Sequence, residues 1–121
     1  MSAQTCEAVI VHCSDFGIQQ SINDWLTERF GMQNYDRISC PGGIKDFSPI
    51  QGQIESAYRL DKIKKVIFIG HENCDAYGST GPKERHVSDL AHAERMIKSQ
   101  YSDVDVEKYH LHLDGEFEKI A

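Results

Sequence analysis

Basic residues are in short supply. Thirteen Lys and Arg stand against nineteen Asp and Glu, a formal net charge of −6. That balance opposes a phosphate-tracking or anionic-membrane surface, so nucleic acid is not expected as a partner. No apolar run approaches the roughly 20 residues of a membrane helix, and no basic start leads into an apolar stretch with a small-residue cleavage site. The expectation is a soluble, cytoplasmic protein that does not engage a membrane. Repeats, low-complexity tracts and linkers are also missing. The four cysteines, Cys6, Cys13, Cys40 and Cys74, sit in a chain with no mark of secretion, so they are expected as thiols, some of them on metal, rather than as disulfides.

What is present is globular. Apolar residues make up 40% and charged residues 26%, and 121 residues suit one domain over 1–121 with a single core. Residues 7–12, EAVIVH, form a continuous β-branched run, the pattern of a parallel strand covered on both faces. Ile18, Ile22, Trp25, Leu26 and Phe30 recur at helical spacing before Gly31. A second strand is expected over YDRISC at 35–40, ended by PGG, then a helix with Ser48 as N-cap and Pro49 at its first position. KKVIFIG at 64–70 is the most strand-like segment, a third helix starts near Ser88, and VEKYHLHL reads as an edge strand followed by a DGEF turn. The alternation predicts a small, mainly parallel four-stranded α/β sheet with helices on both faces. Residues 75–85, DAYGSTGPKER, are long and glycine-rich enough for a lid.

In such sheets ligands bind beyond the carboxyl ends of strands, where strand order reverses. Two of the expected ends carry reactive side chains: HCSD supplies Cys13 and Asp15, and GHENC supplies His71 and Cys74. If the first and third strands are neighbours, these converge. Two thiolates and an imidazole form a Cys2His set that suits zinc and leaves a fourth position open, as catalytic zinc sites do. Asp15 then orients water at the open position or occupies it. A buried cysteine or a turn-forming aspartate is commonplace singly; the combination with His-x-x-Cys after a second strand favours metal.

Cys-x-Asp after the first strand and Gly-His-x-x-Cys after the third resemble the β-class carbonic anhydrases, over most of the chain. The shared residues are Cys13, Asp15, Gly70, His71 and Cys74; SCPGG at 39–43 and YHLHLDGEFEKI at 109–120 fall where that family has a loop and its next strand and turn. The resemblance implies a β-carbonic-anhydrase-like fold and a Zn2+ lyase that hydrates CO2 to bicarbonate by zinc-bound hydroxide. It also implies Cys13, His71 and Cys74 as metal ligands, Asp15 as the catalytic gate or a fourth ligand, and a homodimer or higher homo-oligomer. The family follows its Cys-x-Asp with Ser-Arg, whose arginine keeps the aspartate off the metal. Here Phe16 and Gly17 stand instead.

Arg37 and Arg85 are the candidates to replace that arginine, with a solvated role the default for both. Asp75 stands where the family has glycine and is expected as a helix cap. The chain is shorter than typical members, which predicts a compact dimer with a trimmed pocket. Phe16 would narrow that pocket toward CO2, COS or CS2, and Gln19 and Tyr77 are further lining candidates. His12 should point away from the metal face; Cys40 is expected as a buried thiol, His86 and His92 beside the lid as proton shuttles or solvent-exposed residues, and His110 and His112 as surface residues. The alternatives are a hydrolase of COS or CS2 at the same zinc, and a non-catalytic module whose metal Asp15 closes. A cysteine phosphatase is disfavoured, because Gln19 stands where a Cys-x5-Arg loop needs arginine.

Overall fold

The continuous β-branched runs become the middle of a sheet. In a computed structural model that describes residues 6–14, 16–31, 35–40, 48–71 and 83–120, five strands form in the order β2-β1-β3-β4-β5. They are β1 (Ala8–Cys13), β2 (Tyr35–Cys40), β3 (Lys65–His71), β4 (Asp105–Leu111) and β5 (Phe117–Ile120). The first four are parallel and β5 is antiparallel to β4. Between them run α1 (Gln19–Phe30), α2 (Ser48–Ser56) and α3 (Lys83–Gln100).

The sheet therefore has one strand more than the four expected, and β4 is internal rather than an edge. The reason is local. After β4 the His112 amide donates to the Glu116 carbonyl, the Glu116 amide donates to the Asp114 carboxylate, and Gly115 takes φ 91°. This tight hairpin returns a strand of only four residues, half-buried or exposed throughout. So short and so little buried a segment shows no periodicity. The third helix begins at Lys83, five residues before Ser88, because His86 is buried as part of it.

Each sheet face has its own cover. Val9, Val11, Ile38, Val66 and Phe68 pack against Ile50 and Ile54 of α2 and Leu90, Ala93 and Ile97 of α3. On the other face Ala8, Ile10, Ile67, Ile69, Tyr109 and Leu111 pack against Ile22 and Leu26 of α1. Full burial of side chains such as Phe68 and Ile67 is worth roughly 1.5–3 kcal/mol each, which fixes which face every strand residue takes. α2 runs on into a π-helical segment, Ala57–Asp61, and stops at Lys62, whose φ of 55° turns the chain into β3.

Candidate metal centre

From β1 the chain crosses to β2 on one side, and β3 then takes the place on the other side of β1. The strand order thus reverses between β1 and β3, the position where open α/β sheets form their binding crevice. The register His12↔Ile69 sets Cys13 beside Gly70 and one step short of His71, and Cys13 pairs on its other side with Cys40 of β2. Cys13 and His71 thus come to one sheet edge on adjacent strands, both buried. The Nε2 atom of His71 is sealed from solvent. Asp15, Cys74, Asp75 and Tyr77, like residues 75–82 of the expected lid, lie outside the described residues, as do the side chains of Phe16, Cys40 and Arg85.

Strand alternation places Cys13 with Val9 and Val11, and His71 with Ile67 and Ile69, on opposite faces. An ion shared by the two would sit beyond the strand ends, across the plane of the sheet. A buried thiol and a buried imidazole are soft and borderline donors that suit zinc, so the described half of the set fits the metal.

His12 lies on the α1 face, as alternation requires. Its Nδ1 is 2.8 Å from the Cys13 carbonyl, and Arg37 donates from Nε to its Nε2 at 3.1 Å. A guanidinium can only donate, so Nε2 is the bare nitrogen and Nδ1 carries the proton given to Cys13. Burial, the Arg37 charge and neighbouring His71 push the His12 pKa down, which keeps the ring neutral in this role. Arg37 also donates to Gln19 Oε1 at 3.2 Å and to Asn23 Oδ1, and Gln19 Nε2 donates to the Cys13 carbonyl at 3.1 Å. Arg37, His12 and Gln19 close a ring on the backbone of Cys13. Gln19 thus touches the site through the backbone, and Arg37, expected in solvent, is a buttress of the strand end. The signal was its place in β2, paired with Ile10 and so on the face of His12.

The other histidines divide differently from expectation. His86 and His110 are buried, with rings 5.3 Å apart in a T-shaped contact, and His110 stacks edge-on against His112 at 5.1 Å. They cover Gly70, where an added Cβ would come within 3.4 Å of His86 Nδ1. His112 is half-buried with Nε2 2.8 Å from Glu118, and only His92 is exposed. Helix α3 and strand β5 supply this cover, and neither boundary was visible in the sequence.

A family model described as "Putative carbonic anhydrase" matches residues 3–121. The chain belongs to this putative carbonic anhydrase family. It is 26% identical over 132 residues to an uncharacterized protein of Rickettsia bellii, a match that covers 93% of this chain and 80% of that protein. Its fold is similar to that of a carbonic anhydrase from Glaciozyma antarctica, with a TM-score of 0.71 at 15% identity over 99% of this chain and 86% of that one. It is also similar to one of two tetrameric β-carbonic anhydrases from Sordaria macrospora, with a TM-score of 0.60 at 15% identity over 98% and 82% of the two chains. Among the described residues no helix is long and apolar enough to cross a membrane.

Proposed function

We propose that this carbonic anhydrase family member is a zinc-dependent lyase that interconverts CO2 and bicarbonate, with Cys13, His71 and Cys74 as metal ligands and Asp15 as gate. One observation carries the reading: Cys13 and His71 are buried on neighbouring strands at the switch point of the sheet. Zinc bound there would supply Lewis acidity and lower the pKa of water. The chain's own residues set the conditions. Cys13 would offer a thiolate whose backbone the Arg37–His12–Gln19 ring holds in place, and His71 a neutral imidazole in a dry setting. Asp15 would accept a hydrogen bond at the open position.

A second reading has its own support. Phe16 and Gly17 leave no arginine beside Asp15 in sequence, and the Arg37 guanidinium is engaged by His12, Asn23 and Gln19. If no guanidinium holds it away, Asp15 would close the metal and leave a binding module. Hydrolysis of COS or CS2 would use the same ligands and differ in pocket shape. A homo-oligomer is proposed by analogy with the tetrameric Sordaria proteins.

Stopped-flow CO2 hydration on protein loaded with one zinc per chain tests the reading, with Cys13→Ser as control. Cys13→Ser is expected to lose most of its zinc, and the parent to turn over well above it. Full metal retention in Cys13→Ser overturns the site. Background rates from the loaded parent overturn the lyase, and a sulfide-release assay then separates COS or CS2 hydrolysis from the closed module.

A further inference from the structure

At the opposite end of the sheet three more ligand-type side chains meet. Cys6 lies just before β1, Asp36 is the second residue of β2, and Asp61 ends the π-helical segment after α2. Three separate segments therefore bring one thiol and two carboxyls together, and one ligand atom from each lies within 4.8 Å of the others. The Cys6 Sγ is 3.5 Å from Asp36 Oδ2, and the Asp61 carboxyl lies beside that of Asp36. The backbone fixes the approach, because the Cys6 amide donates to the Asp61 carbonyl at 3.1 Å. Tetrahedral zinc, with bonds of about 2.0–2.3 Å, needs its donors roughly 3.3–3.8 Å apart, so small side-chain adjustments complete the fit.

Two further observations point to a cation. Among the described residues no Lys or Arg forms an ion pair with Asp36 or Asp61, so no side-chain cation already fills the cluster. Asp36 and Asp61 also line a cavity of about 340 Å³ whose wall includes Gly52, where an added Cβ would meet no atom within 4 Å. Burial and the Asp36 carboxylate push the Cys6 thiol up to about 12, and burial and Asp61 push Asp36 up. Without a cation the Cys6 thiol keeps its proton at neutral pH; a divalent ion would replace it.

We propose that Cys6, Asp36 and Asp61 form a second divalent-cation site at the amino edge of the sheet. The mixed thiolate and carboxylate donors select a borderline ion of the zinc type over magnesium or calcium. Binding displaces the Cys6 proton to solvent as the sulfur–metal bond forms, so affinity rises with pH.

Cadmium titration of the chelator-stripped full chain tests this, with the thiolate-to-cadmium charge-transfer band and 113Cd NMR as readouts. The expected result is an ion with a one-sulfur, oxygen-rich signature that persists in Cys13→Ser and is lost in Cys6→Ser. Asp61→Asn, which keeps the thiol, should weaken that ion at least tenfold while circular dichroism stays unchanged. A wild-type chain without this signature overturns the proposal, as does its survival in Cys6→Ser. An ion lost in Cys6→Ser beside none lost in Cys13→Ser would uphold this site and overturn the one at the carboxyl edge.

Discussion

At the carboxyl edge of the sheet the buried polar side chains among the described residues are imidazoles and a thiol: His12, His71, His86, His110 and Cys13. At the amino edge they are carboxyls crowded around a thiol, half-buried, next to a cavity. Both ends carry metal-ligand chemistry, yet the physical conditions differ. A neutral imidazole tolerates desolvation and is a ligand without losing a proton, so a dry edge can keep it ready. A half-buried thiol beside carboxyls keeps its proton until a cation arrives. A third place makes the contrast sharper. Glu107 is also a half-buried acid, but Arg29 and Lys65 each lie 2.7 Å from its carboxylate and Tyr109 donates to it at 2.6 Å.

The largest effect should come from putting the chemistry of one edge into the other. His110→Asp sets a carboxylate in the dry edge, where an uncompensated buried charge costs about 3 kcal/mol or more. Urea unfolding should show that loss at neutral pH, shrinking in acid as the new carboxyl protonates; a cost below about 1 kcal/mol would erase the distinction between the edges.

Glu107→Gln should cost about 2 kcal/mol, the range of hydrogen bonds to a charged group. Arg29, Lys65 and Tyr109 hold Glu107 well below its ordinary value of 4.5, with the Arg29 hydrogen bond the chief cause. A depressed acid contributes its stability above that ordinary value and loses it as pH falls toward the folded one. The variant's deficit should therefore be full at neutral pH and fade below about pH 4.5. A deficit that does not change with pH would show that the carboxylate's charge is not what the site uses.

Asp36→Asn should have the smallest effect and the opposite sign. Burial first, then Asp61, raises Asp36 above its ordinary 3.8. A raised acid contributes stability that is present below the unfolded value and lost as pH rises through the folded one. In metal-free protein at neutral pH the Asn variant should thus gain a few tenths of a kcal/mol, discounted for its partial exposure, and show no gain at pH below about 3.8. Loss of stability at neutral pH would mean that a cation or unseen donor already balances the charge.

The strands were legible because continuous Val and Ile runs admit few other structures, and the carboxyl-edge donors because soft residue types followed two such runs. What escaped notice depended on cover and on separation. His110 alternates with Tyr109 and Leu111 in a pattern suited to an edge, and only β5 makes it internal. Arg37 looks like a surface cation until β2 is laid beside β1. Cys6 and Asp36 are 30 residues apart, and no short-range pattern joins them.

The register of β1 against β3 has a kinetic meaning. Cys13 and His71 are 58 residues apart in sequence, and β1 gains its β3 neighbour only after β2 and α2 have been passed. Closing so long a loop has to precede the reward of the contacts it makes, which slows parallel sheets. No local fragment of this chain can bring that thiol and imidazole together, so their juxtaposition would report completion of the central sheet. A growing polypeptide would carry the first strand without that neighbour until the third has been synthesised.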